Sequence, residues 1–325
     1  MVAIAYLLPG QGAQAVGMGK AFYDRFEISR EIYKQANKAL GFDVTALCFE
    51  GPPEDLTKTE TCQPALFVTS MAAYAAFRET APTITPVGVA GLSLGELTSL
   101  AVAEAFSLSD AFYLVKARGE AMAECAVKSG GAMLAVIGLT EEAINGVCHQ
   151  SGATAANFNA PDQIVLSGTV AAIAHAGELA KAAGAKRAIR LEVAGAFHSP
   201  IMQPAAEAFK RALAKVEIRQ PNAPVISNVT ALPVRDPDEI RRLLVAQIIS
   251  PVRWVASMRW MIQRGATRFI EFPPARVLTG LLRRIDASVT GLTIDQPSDF
   301  DKLSGNGAPR AAPSGNPPSR RASLS

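Results

Sequence analysis

Gly91-Leu92-Ser93-Leu94-Gly95 carries the G-x-S-x-G pattern, and the chemistry that pattern serves is attack by a serine hydroxyl. A short β-rich run, Pro86 to Leu92, precedes the serine, and a segment of helical character, Ser93 to Phe106, follows it. Strand, sharp turn and helix in that order force the serine into a strained conformation, while small flanking glycines let strand and helix approach. The helix N-terminus then offers the Leu94 backbone N–H to a developing oxyanion. The alternative is an ordinary glycine-flanked turn.

A nucleophilic serine needs a base, and the chain holds three histidines. His149 falls at the end of a short predicted helix and His175 in the middle of another, so both read as solvated surface residues. His198 differs. It follows the strand-like Leu191-Glu192-Val193, inside Gly195-Ala196-Phe197-His198-Ser199-Pro200, just before a helix that Ser199 can cap and Pro200 can start. A loop at a strand's end is where a base can reach a serine elbow; a buried loop histidine is the plainer reading.

A second glycine pattern invites a different chemistry and fails. Gly10-Gln11-Gly12-Ala13-Gln14-Ala15 follows a strand and matches a dinucleotide fingerprint. A helix should start at the second glycine, yet Gly17 and Gly19 interrupt it. The next segment should be a strand ending in an acid, and residues 20–40 are instead helical in pattern. Nicotinamide cofactor binding is not expected.

The elements that must position these residues alternate strand and helix. Val2–Leu8 reads as a buried strand, stopped by Pro9-Gly10. Helices are predicted over about Lys20 to Leu40, with Gly41 as C-cap, over Thr61 to Phe77, and from Ser109 or Asp110 to Ala126. After Lys128 the texture changes to strand Gly130–Leu139, a helix to about His149, a strand pair around the Ala160-Pro161-Asp162 turn, a helix to Gly184 and a strand Arg187–Val193. That β-α-β-β-α-β order is the ferredoxin-like pattern. Strand and helix signals then resume: helix Pro200–Val216, strand Pro224–Asn228, helix Pro237–Ile249 and strand Arg268–Phe272. The expected division is an α/β core over 1–128 and 195–300, an inserted ferredoxin-like subdomain over 129–194, and a disordered tail over 304–325.

The length of 325 residues suits about two domains, and 49% hydrophobic against 19% charged residues excludes a disordered chain. The net charge of +3 comes from Arg310, Arg320 and Arg321; without them 29 basic residues face 29 acidic ones. Such balance argues against nucleic acid as a partner. Four scattered cysteines and three histidines offer no zinc-site spacing, so no metal is expected. No signal peptide or membrane span is legible. A cytoplasmic monomer is the expectation.

Four motifs together now carry a resemblance. Leu8-Pro-Gly-Gln-Gly-Ala-Gln14, Gly91-Leu-Ser-Leu-Gly-Glu96, Ala117-Arg-Gly-Glu-Ala-Met122 and Gly195-Ala-Phe-His-Ser-Pro200 are similar, in order and approximate spacing, to those of the malonyl-CoA:acyl carrier protein transacylases. Asn157-Phe-Asn-Ala-Pro161 and Gln247-Ile-Ile-Ser-Pro-Val-Arg-Trp254 extend the likeness to residues 2–300. The resemblance implies a hydrolase-like core, with a largely parallel sheet, around a small ferredoxin-like subdomain. It implies Ser93 as nucleophile, His198 as general base and acid, and backbone N–H groups of Gln11 and Leu94 as the oxyanion hole. Arg118 would clamp the malonyl carboxylate, Gln247 would orient the base through its backbone carbonyl, and Phe197 would narrow the acyl pocket. Read without the family, Arg118 is a solvated helix residue near Asp110 or Glu120, and Gln11 and Gln247 are generic polar positions. Leu92 and Leu97 depart from the family, where histidine and an aromatic are frequent.

The implied substrates are malonyl-CoA and the phosphopantetheine thiol of an acyl carrier protein, with no cofactor beyond those arms and with fatty acid synthesis as the destination. Rivals are a trans-acting acyltransferase of a polyketide synthase or malonate decarboxylase system, a serine hydrolase or thioesterase, and a catalytically dead scaffold. Basic groups at the mouth, either Lys186, Arg187 and Arg190 or Lys210, Arg211 and Lys215, are candidates to steer an acidic carrier.

Overall fold

The computed structural model describes residues 3–303 apart from Ala194 and Ala275, so the tail expected over 304–325 lies outside the described residues. The strands in chain order are β1 (Ile4–Leu8), β2 (Gly88–Gly91), β3 (Gly131–Ile137), β4 (Thr154–Ala160) and β5 (Gln163–Thr169). They continue with β6 (Arg187–Arg190), β7 (Val225–Ile226), β8 (Pro233–Val234), β9 (Arg268–Glu271) and β10 (Thr290–Thr293). Six of them form one sheet in the order β10-β9-β1-β2-β7-β8, parallel throughout except for the β7–β8 pair.

β1 and β2 lie at the centre of that sheet, covered on both faces, which is why they read as uninterrupted apolar or small residues. The helix Leu94–Val102 is buried along its whole length, and Thr59–Thr80 is buried at every position from Cys62 to Ala73. Neither shows a polar face because neither meets water along those stretches. The carboxyl ends of β1 and β2 open side by side, the usual place for a ligand in a parallel sheet.

The remaining four strands form an antiparallel sheet, β4-β5-β3-β6. Helices Glu141–Ser151 and Val170–Ala182 cover one face of it, through Ile144, Val147, Ile173, Ala176 and Ala180. The α/β class, with a largely parallel sheet beside a small antiparallel one in ferredoxin-like order, is the one expected.

Several boundaries differ from the sequence reading. The segment Lys20–Leu40 is two helices, Lys20–Arg25 and Glu27–Leu40, because Phe26 turns extended and packs on Phe300 at 6.0 Å between ring centroids. The helix expected from Ser109 or Asp110 starts at Leu108. Ser107 is its cap, accepting from the Asp110 N–H at 3.0 Å. Ser199 does not cap the following helix; its hydroxyl donates back to the Ala196 carbonyl at 2.6 Å. β7 stops at Ile226, which frees Ser227 and Asn228 from the ladder to turn toward the elbow. No described helix is long and apolar enough to cross a membrane.

Candidate active site

Ser93 follows β2 and caps the helix Leu94–Val102 with φ 55° and ψ −105°, a backbone conformation that L residues avoid. The two glycines of the motif explain how the turn closes. A Cβ on Gly91 would stand 1.9 Å from the Gly95 carbonyl oxygen, and one on Gly95 would stand 2.2 Å from that of Leu8. Only glycine fits at either position. Asn228 ties the turn down, accepting from the Ser93 N–H at 2.7 Å and donating to the Gly91 carbonyl at 2.8 Å. As first residue of its helix, Leu94 has no partner for its N–H in the preceding turn, so that donor is available at the pocket it lines.

His198 Nε2 lies 2.8 Å from Ser93 Oγ, and Nδ1 lies 2.8 Å from the Gln247 backbone carbonyl. A carbonyl only accepts, so Nδ1 carries the hydrogen and Nε2 is left to accept from the serine. The ring is 4% exposed. Burial first, then the Arg118 charge, pushes its pKa down to about 4, against the raising effect of the Gln247 and Ser250 backbone carbonyls. It is therefore neutral, as a base must be, at pH 7. His149 and His175 are exposed.

Arg118 is 1% exposed, not the solvated residue that its helix alone suggests. Nη1 donates to Gln63 Oε1 at 2.6 Å, and Nη2 donates to Gln247 Oε1 at 2.8 Å and to Ser93 Oγ at 3.1 Å. Burial lowers its pKa to about 10, with Glu96 opposing, so it remains a cation at pH 7. Its hydrogen bonds among the described residues thus go to uncharged oxygens, leaving a buried positive charge beside the nucleophile with no anion in direct contact.

These groups open on a cavity of about 460 Å³ between the two sheets, lined by Gln11, Ser93, Leu94, Arg118, Phe197 and His198 among others. Phe197 is 6% exposed and forms wall beside the base. Gln247 sits beneath the cavity and reaches it through Arg118 and His198. A second cavity, about 510 Å³ and lined by Phe158, Leu232, Arg253 and Trp260, adjoins no such nucleophile and base. No group of three or more potential metal ligands occurs among the described residues.

Sequence reasoning missed three members of the site: Gln63, Asn228 and Glu96. Glu96 is 2% exposed and receives hydrogen bonds from Gln247 Nε2 at 2.5 Å and the Asn228 N–H at 3.2 Å. Burial pushes its carboxyl up to about 7 despite those bonds and the charge of Arg118. Its place in the elbow motif was visible, but its partners lie more than 130 residues away in the chain.

The chain matches the acyl transferase domain over residues 5–296. It is 41% identical over 306 residues to the malonyl CoA-acyl carrier protein transacylase of Bacillus subtilis (strain 168), covering 93% of this chain and 96% of that one. It superposes on an acyl carrier protein S-malonyltransferase from Vibrio cholerae with a TM-score of 0.89 at 38% identity, over 92% of this chain and 99% of the other. A malonyl-transacylase solved with its type II polyketide synthase acyl carrier protein gives a TM-score of 0.91 at 34% identity, over 94% and 100% of the two chains. With these matches spanning nearly the whole sequence, the chain belongs to the acyl transferase family and, within it, to the malonyl-CoA:acyl carrier protein transacylases.

Proposed function

We propose that this protein transfers malonyl from malonyl-CoA to the phosphopantetheine thiol of an acyl carrier protein, through a malonyl ester on Ser93, and supplies fatty acid synthesis. The observation that carries the reading is the contact of one hydroxyl, Ser93 Oγ, with both His198 Nε2 at 2.8 Å and Arg118 Nη2 at 3.1 Å. The first partner removes a proton. The second holds an anion a few ångströms from the reacting carbonyl.

His198 takes the Ser93 proton as Oγ attacks the thioester carbonyl. The oxyanion is held by the Gln11 and Leu94 backbone N–H groups. The carbon–sulfur bond breaks, and the coenzyme A thiolate leaves with the proton from His198. In the second half the pantetheine thiol gives its proton to His198, its sulfur attacks the ester, and Ser93 leaves with the proton restored. Throughout, Arg118 exchanges its bond to Ser93 Oγ for the free malonyl carboxylate, which a guanidinium can bind in bidentate fashion. Phe197 narrows the pocket where an α-methyl would stand. No cofactor is needed beyond the coenzyme A and phosphopantetheine that the substrates carry.

A hydrolase would share the dyad and lack use for a buried cation. The test is to give the protein malonyl-CoA with and without pantetheine or holo-carrier and compare free malonate with transferred malonyl. Transfer far above hydrolysis is expected; release of malonate at the same rate with or without thiol would overturn the reading.

A further inference from the structure

Arg118 and Glu96 are the two charged side chains buried at the elbow, 1% and 2% exposed, and a single carboxamide stands between them. Gln247 Nε2 donates to Glu96 Oε2 at 2.5 Å and to the Ser93 carbonyl at 2.9 Å, while its Oε1 accepts from Arg118 at 2.8 Å. An ionised carboxylate only accepts. Glu96 therefore draws the amide nitrogen to itself and turns the amide oxygen toward Arg118. It also holds the Asn228 N–H, whose residue in turn fixes the Ser93 N–H.

A buried guanidinium without an anion is unfavourable, and Glu96 answers it across one amide in the empty site. A substrate carboxylate at Arg118 would bring a second anion to one cation. Like charges in a poorly solvated site oppose each other, so the arrangement sheds one of them.

We propose that Glu96 is the resident counter-anion of Arg118, a positioning residue that orients the guanidinium through Gln247 and takes up a proton when an acyl group bearing its own carboxylate binds. This rests on the reading of Arg118 as the carboxylate clamp. The groups around Glu96 leave it alone to titrate near neutrality. Arg118 from Leu108–Ser129 stays cationic with a pKa of about 10, and His198 from the loop before Pro200 stays neutral with a pKa of about 4. Ser227 and Asn228 after β7 and Gln247 from Pro237–Gln247 carry no charge, and Glu96 itself sits at about 7. Binding raises the proton affinity of Glu96. Malonyl binding is thus strongest where Glu96 is already protonated and weakens as pH rises.

The test compares kcat/KM for malonyl-CoA and acetyl-CoA, with one thiol acceptor, from about pH 6 to about pH 8.5. The ratio cancels titration of coenzyme A itself. The malonyl-to-acetyl ratio of the wild type should fall about three- to tenfold across that range, through KM rather than kcat. In Glu96→Gln, which keeps an acceptor oxygen and loses the charge, the ratio should be flat. A second measurement needs no Glu96 variant: calorimetry of malonyl-CoA binding to Ser93→Ala in buffers of different ionisation enthalpy should register proton uptake, and acetyl-CoA should register none. A flat ratio in the wild type, the same slope in Glu96→Gln, or binding without proton uptake would overturn the role of Glu96 while malonyl preference and the clamp survive. Loss of malonyl preference at every pH would remove the clamp and this proposal together.

Discussion

Ser93, His198 and Arg118 meet at one hydroxyl, so their substitutions should separate cleanly. Ser93→Ala should abolish the acyl adduct and transfer alike. His198→Ala should slow both half-reactions by at least about 10²- to 10⁴-fold. Because burial holds His198 at about 4, kcat/KM for acetyl-CoA should stay level as pH falls below neutrality and drop only near that value, where the base protonates. A fall centred near 6.5, the ordinary histidine value, would show a solvated ring. Arg118→Ala should cripple malonyl transfer and favour neutral acyl groups relatively, because an unpaired buried charge costs several kcal/mol, on the order of 3–5. Equal kcat/KM for malonyl-CoA and acetyl-CoA in the wild type would sink the clamp. Of these residues, Ser93 and His198 were legible because strand–turn–helix punctuation marks them locally. Arg118 carried a local signal too: it lies on the buried stripe Ala111, Val115, Met122 and Cys125 of its helix. The residue type argues for solvent, and that outweighs the stripe in the sequence reading of Arg118 as a solvated helix residue. What settles the conflict is Gln63 and Gln247, brought in from distant elements.

At the scale of elements, the elbow is held by close backbone approach more than by side-chain packing. Gly95→Ala should destabilise by about 1–3 kcal/mol or more, since overpacking against a backbone carbonyl cannot be relieved by rotating a side chain. Urea unfolding measures this. A change below about 0.5 kcal/mol would mean that Leu8 and Gly95 are further apart than described. Alternation of strand and helix, and the switch to the ferredoxin-like pattern, could be read from periodicity because buried parallel strands and capped helices both mark themselves. The break at Phe26 could not, because its cause is Phe300, far along the chain. Nor could helices Trp254–Gln263 and Leu278–Ile285 or the strand β10. The second of those helices begins where Glu271, at the end of β9, accepts from the Val277, Leu278 and Thr279 N–H groups. A cap supplied by another element leaves no local signature.

Across the whole molecule, the pocket lies between the parallel and antiparallel sheets, and the chain immediately after β6 (Leu191, Glu192 and Val193) lines it. This favours exposed Lys186, Arg187 and Arg190 over Lys210, Arg211 and Lys215 as the groups that steer an acidic carrier to the mouth. Reversing Arg187 and Arg190 to glutamate should raise KM for holo-carrier and leave transfer to free pantetheine unchanged; an unchanged KM for holo-carrier would place the carrier elsewhere. Balance of charge over the chain could be read from composition, but where the basic groups stand relative to the site could not. The central claim is a malonyl ester on Ser93, made from one substrate and discharged by the other. Intact-mass spectrometry after mixing with malonyl-CoA tests it most directly. One malonyl adduct per chain, mapping to Ser93, absent in Ser93→Ala and removed on adding a carrier thiol, is the expected result. Transfer at full rate with no adduct on Ser93 would contradict it.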